Sequence, residues 1–128
     1  MLKIIEVHTS SKANGEYVVL QNQGLITVNL SGWGVCTEAL LESDPSKLVD
    51  SIYIFRQKAD IKPYQNVVLF TGAGEDGWVP TNDGRQAYCA FWSRRDTIWS
   101  AATKINVLHI ASSKFLIAGK LDSVALSA

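Results

Sequence analysis

Residues 16–35 constrain the fold more than any other stretch: Glu-Tyr-Val-Val-Leu-Gln-Asn-Gln-Gly-Leu-Ile-Thr-Val-Asn-Leu-Ser-Gly-Trp-Gly-Val. In an extended chain Val18 and Leu20 share one face, while Tyr17 and Val19 share the other. After a short polar turn, Val28 and Leu30 point inward. Ser31-Gly32 then turns the chain so that Trp33 enters the core. Period-two alternation specifies half-buried β-structure, and the two runs are expected to form an antiparallel pair closed by the Gly-Trp step.

The remaining chain carries the same grammar. Residues 2–8 predict a first strand with Ile5 and Val7 inward. A polar turn over 9–15 follows, ending in Asn14-Gly15, a strong hairpin signal. Residues 37–50 break the alternation with Glu38, Glu42, Asp44, Pro45 and Lys47, and predict an excursion between sheets. Further strands are expected at 51–55, 66–71 and 87–92. Pro63 sits ahead of the second of these, where its missing N–H costs least. A hairpin over 105–110 and 114–118, around Ser112-Ser113, and a last strand over 121–126 complete the set. About nine short strands with regular turn signals predict one all-β sandwich domain spanning 1–128. Its expected core is Ile5, Val7, Val18, Leu20, Val28, Leu30, Trp33, Val35, Phe55, Val68, Phe70, Leu108, Ile110 and Val124. Trp33 is the core residue whose truncation is expected to cost most.

Charge excludes several functions. The chain has 12 Lys and Arg against 12 Asp and Glu. Residues 1–64 carry 6 positive and 7 negative side chains, and residues 65–128 carry 6 and 5. No net field attracts nucleic acid or an anionic membrane, so neither is an expected partner. Glu6 follows Met1–Ile5 too soon for a signal peptide, and no apolar run reaches the roughly 20 residues of a membrane span. A cytoplasmic location is expected if the chain is complete.

Two cysteines, Cys36 and Cys89, are too few for a disulfide scaffold or a thiolate zinc site. Trp33 precedes both, which departs from the Cys-Trp-Cys order of an antibody domain. Two reduced, buried thiols are expected. The acidic residues Glu38, Glu42, Asp44 and Asp50 lack the turn glycine of a calcium loop and predict a solvated loop instead. No metal and no cofactor is expected.

Two stretches stand out as binding candidates. Residues 72–86 form the longest segment without strand pattern, and such loops tend to be functional or mobile. Trp78 within it is either an exposed binding anchor or a lid folded onto the sandwich. Trp92 and Trp99 flank Arg94 and Arg95, an interleaving that can stack single-stranded bases. Two arginines beside Asp96 on a neutral chain make that a thin case. The candidate binding residues are therefore Trp78, Trp92, Arg94, Arg95 and Trp99.

Several of these motifs resemble the lamin tail domain family. They are Glu16-Tyr17-Val18-Val19-Leu20, Asn22, Gly24, the run from Val28 to Trp33, Tyr53-Ile54-Phe55, Ile61-Lys62-Pro63, Gln65 and the run from Val67 to Gly72. Asp122-Ser123-Val124 matches the family's closing strand. Tyr64 departs from the family, which usually has Gly there. The resemblance implies an immunoglobulin-like sandwich, closer to prokaryotic stand-alone members than to animal nuclear lamins. It also implies that Trp92 and Trp99 pack inside, with Arg94 and Arg95 exposed.

Catalytic residues are not evident. His8 and His109 are the only histidines, and neither has metal-ligand spacing. A dyad of His109 with Cys36 or Cys89 lacks any nucleophile elbow around the thiol. The expected function is a non-catalytic structural or protein-binding module. It would act through residues 72–86, the Trp92–Trp99 region or an exposed sheet edge. A carbohydrate or cell-surface binding module is the alternative, and a small hydrolase a more distant one. Self-association through edge strands is compatible with each.

Overall fold

The computed structural model describes residues 1–37, 52–101, 104–109 and 122–125. The acidic stretch from Glu38 to Asp50, Ile110 and the 114–118 strand lie outside them. Eleven strands are described: β1 (Leu2–His8), β2 (Tyr17–Asn22), β3 (Val28–Asn29), β4 (Trp33–Thr37), β5 (Ile52–Ile54), β6 (Asp60–Ile61), β7 (Asn66–Phe70), β8 (Gly77–Pro80), β9 (Gln86–Phe91), β10 (Lys104–His109) and β11 (Asp122–Ala125). They build a five-stranded sheet in the order β1-β2-β7-β9-β8 and a four-stranded sheet in the order β11-β10-β4-β5. A short β3–β6 ribbon accompanies them. The fold is an all-β sandwich. Its pairings are antiparallel except for β7 beside β9, which is parallel.

The 16–35 stretch is extended as expected, but its halves do not pair with each other. β2 lies between β1 and β7, the Val28–Asn29 run forms β3 and pairs with β6, and β4 lies between β10 and β5 in the other sheet. Alternation reports which face a strand buries, not which strand it joins. Asn22 organises the crossing. Its Nδ2 donates to the carbonyls of Ile26 and Ile61, each at 2.8 Å, and its Oδ1 accepts from the Gly24 N–H at 3.0 Å.

The core is filled from both sheets. Leu2, Ile4, Val18, Leu20, Val67, Leu69, Tyr88 and Ala90 come from the five-stranded sheet, and Val35, Ile105 and Val107 from the other. Leu30, Phe55, Ala59, Ile61 and Trp99 close its margins.

Three expectations need correction. In β1 the register slips between Ile4 and Glu6, so one extra residue resets the alternation. Leu2 and Ile4 are buried, Ile5 is 45% exposed, and Val7 packs only partly against the core. In β7 the inward pair is Val67 and Leu69, leaving Val68 and Phe70 half-exposed. A continuous apolar run has no parity to read. Trp33 is only half-buried, with its indole edge-on to His109 at 5.0 Å between centroids. The largest fully buried side chain is Trp99.

The outer face of the five-stranded sheet explains the apolar β7. His8 stacks on Tyr17 at 4.8 Å, Tyr17 meets Phe70 at 5.6 Å, and Phe70 stacks on Phe91 at 4.8 Å. These cross-strand aromatic contacts support the sheet from outside the core. The backbone at Gly74 lies so close to the Phe91 ring that a Cβ there would collide with it.

Candidate binding site

β5 and β8 are edge strands of their sheets among the described strands. Beside them opens a cleft of about 750 Å³, lined by Ile52, Tyr53, Ile54, Arg56, Gln57, Asp76 and Trp92. β5 supplies the apolar floor, the residue that follows β9 is Trp92, and the segment entering β8 supplies Asp76.

The walls are fixed by aromatic contacts. Tyr53 meets Trp92 edge-on at 5.6 Å and Phe55 at 5.0 Å. Trp92 in turn contacts Trp99 at 5.7 Å, and the Arg94 guanidinium lies over the Trp92 ring at 5.0 Å. Trp92 is thus held between the core and a cation, a favourable arrangement for an indole face.

The polar rim is a short network. Gln57 Nε2 donates to Tyr53 Oη at 3.0 Å and to Asp76 Oδ2 at 2.7 Å. The Phe91 N–H donates to Asp76 Oδ1 at 2.9 Å, and the Arg56 N–H to Gln57 Oε1 at 2.9 Å. Asp76 therefore joins the β9 backbone to the segment after β5. Burial pushes the Tyr53 phenol above its ordinary pKa, aided by the nearby Asp76 carboxylate and opposed by the Gln57 hydrogen bond and Arg56. Tyr88 is raised by burial, then by Asp76 and Tyr53. Both phenols stay neutral at physiological pH and offer hydrogen bonds rather than charge.

The segment carrying Trp92 is pinned from below by a carboxylate. Glu16 is fully buried. Its Oε1 accepts from the Thr71 hydroxyl at 2.7 Å, the Ile98 N–H at 2.9 Å and the Trp99 N–H at 3.2 Å, and its Oε2 from the Ser100 N–H at 3.1 Å. Three successive amides of the 3-10 turn at Trp99–Ala101 and its approach converge on one side chain. Trp92, Ser93 and Arg94 N–H groups also donate to the carbonyls of Phe70, Gly72 and Thr71, at 2.9 Å each. Ser93 adopts φ 63° to reach its partner.

No protein-family model matches the chain, and no curated protein matches it. The site therefore stands on its geometry.

The predicted binding residues separate accordingly. Trp92 lines the cleft, and Arg94 stacks behind it, half-buried rather than exposed. Trp99 is 0% exposed and is a packing residue, not a contact surface. Arg95 is exposed and does not line the cleft. Trp78 is 39% exposed and edge-on to Tyr88 at 5.3 Å, so it is neither a bare anchor nor a buried lid. The 72–86 segment holds an edge strand, β8, paired antiparallel with β9. Tyr53, Arg56, Gln57 and Asp76 were not among the predicted site residues. Asp76 carries the nearest thing to a signal, an acid among loop glycines that reaches a strand N–H.

The cysteine expectations resolve more simply. Both thiols are free and buried. Burial pushes Cys36 up to about 12, with the neighbouring Asn106 acting in the opposite direction. Cys36 pairs across the ladder with Asn106 and His109 pairs with Trp33, three positions along, so they form no dyad. Cys89 lies in the other sheet, raised by burial alone. Among the described residues no group of His, Cys, Asp and Glu is arranged to hold a metal ion, and no helix is long and apolar enough to cross a membrane.

Proposed function

We propose that this chain is a non-catalytic interaction module of the lamin-tail, immunoglobulin-like type, and that the cleft beside β5 takes an extended segment of a protein partner. The observation that carries the reading is the pairing of an edge strand with an aromatic wall. Ile52, Tyr53 and Ile54 offer strand edge and apolar floor, and Trp92 faces them beside the Gln57–Asp76 network. An added strand gains main-chain hydrogen bonds from an edge, and side-chain pockets give it selectivity. The motif resemblance supports the same class, since lamin tails in animals bind protein partners. A chain with no net charge, and a cleft whose one cation, Arg56, is matched by one anion, Asp76, favours a peptide over nucleic acid.

Selection of a displayed random-peptide library against the folded chain tests this. Enriched peptides should alternate apolar and polar residues. Their affinity should fall about tenfold or more in Ile54→Lys, which places a charge at the β5 edge where Ile54 is 37% exposed. Val79→Lys, on the other edge, should bind as the parent does. Absence of enriched peptides, or equal binding by Ile54→Lys, overturns the reading.

A further inference from the structure

A second groove lies at the opposite end of β9. It holds about 500 Å³ and is lined by Lys62, Pro63, Tyr64, Gln65, Gly84, Arg85 and Gln86. One wall is the turn ahead of β7 and the other is the β8–β9 turn.

The first wall contains a conformational anomaly. The Gln65 N–H donates to the Lys62 carbonyl at 3.0 Å, with Pro63 and Tyr64 at the centre. Tyr64 has φ 65°. This is a type II turn, with Pro at its second position and a left-handed third position that glycine fills best. A bulky residue there is strained. The Tyr64 side chain gains little packing in return, being 55% exposed. Among the described residues only its backbone is held, by its N–H to the Asn22 carbonyl at 2.6 Å and by its carbonyl from Gln21 Nε2 at 3.3 Å. Those backbone bonds would survive in Tyr64→Gly. Strain kept without stabilising contact points to a use for the ring.

The groups around the ring indicate the use. No hydrogen bond or ion pair with a described residue engages the Lys62 ammonium. Asp83 on the neighbouring turn is committed, accepting from the Thr81 hydroxyl and from the Arg85 N–H at 3.1 Å. Asn66 Oδ1, lining the small adjoining cavity, is a buried acceptor without a donor. An exposed aromatic face, amides offering both donors and acceptors, and two cations against one committed carboxylate suit a hydroxyl-rich ligand bearing an anionic group.

We propose that this groove is an oligosaccharide subsite. A sugar ring stacks on Tyr64, Gln65 and Gln86 meet its hydroxyls, and Lys62 and Arg85 select a unit carrying a carboxylate. The site lies away from the peptide cleft, so failure of either assignment leaves the other standing.

The test is titration of the chain, and of Tyr64→Gly, with a tetrasaccharide alternating glucuronate and N-acetylglucosamine. Cellotetraose, a ten-residue oligothymidylate and a ten-residue polyglutamate serve as controls. Backbone amide resonances are followed together with the melting temperature. The expected result is saturable shifts confined to Lys62, Tyr64, Gln65 and residues 84–86 with the acidic tetrasaccharide. Tyr64→Gly should bind at least about tenfold more weakly, the loss of one aromatic contact. The same variant should melt at an equal or higher temperature, because glycine relieves the left-handed turn. A Tyr64→Gly variant that melts lower marks the ring as structural and overturns the proposal. So do equal binding by that variant, equal binding of any control, and no shift with about 10 mM tetrasaccharide, a concentration that reveals even millimolar affinity.

Discussion

Replacing Trp99 with alanine is expected to lower stability by about 3–5 kcal/mol, the range for emptying a fully buried indole site. For a domain of this size that corresponds to a fall of roughly 10–20 °C in melting temperature. The expectation rests on position. Trp99 is the largest side chain with no exposure, it touches Trp92, and it shares one cluster with residues of both sheets. Trp33 is half-buried at the start of β4, against His109. Trp33→Ala is therefore expected to cost clearly less, about 1–3 kcal/mol, because less apolar area is lost. Trp99→Phe adds a finer test. The Trp99 Nε1 is buried without a partner, so phenylalanine removes an unmet donor together with some area. It should cost only about 1 kcal/mol. Urea unfolding of the three variants measures all of this. Equal losses for Trp33→Ala and Trp99→Ala would refute the core assignment.

Replacing Glu16 with alanine is expected to cost about 3–5 kcal/mol, comparable to Trp99→Ala although far less apolar surface is lost. Four donors converge on this carboxylate, and hydrogen bonds to a charged acceptor are worth roughly 1.5–3 kcal/mol each before non-additivity. Alanine strands the Trp99 N–H in a buried site and leaves the Ile98 and Ser100 N–H groups short of their partner. Glu16→Gln separates charge from shape. Its amide nitrogen must face an N–H group, so one arm becomes repulsive, and a loss of about 2–3 kcal/mol is expected. Amide exchange at Ile98, Trp99 and Ser100 should accelerate in both variants well beyond that at β7. Exchange that stays unchanged at these three positions while stability falls would show that the carboxylate is not their anchor. The same anchor holds the segment behind Trp92, so the cleft wall depends on the residue that immediately precedes β2.

Glu16 also marks a part of the site that is legible in the sequence. Residues 16, 18, 20 and 22 share one parity. Val18 and Leu20 identify that parity as the buried face, which places Glu16 and Asn22 inside as well. Both are fully buried, and both are saturated with hydrogen bonds. A polar residue on a buried parity demands partners, so the pattern already held the two residues that organise the crossing and the anchor. β1 misled for a different reason. A one-residue bulge is invisible to alternation, so Ile5 reads as inward and stands outward. In β7 the outer face is apolar because an aromatic row supports it from β1 to β9, a cross-strand property no single run displays. The cleft was the least legible part. Tyr53, Gln57, Asp76 and Trp92 are scattered along the chain, and each is ordinary in its own neighbourhood. Only the adjacency of β5, the β8 approach and the end of β9 gives them a joint meaning.

The peptide-binding assignment is tested most directly by mapping a selected peptide onto the folded chain through its backbone amide resonances. Perturbations are predicted at residues 52–57, at Asp76 and at Trp92. Lys62, Tyr64, Gln65 and residues 84–86 should remain unmoved. Perturbations concentrated on the outer aromatic row of the five-stranded sheet, or spread without regard to β5, would contradict the account.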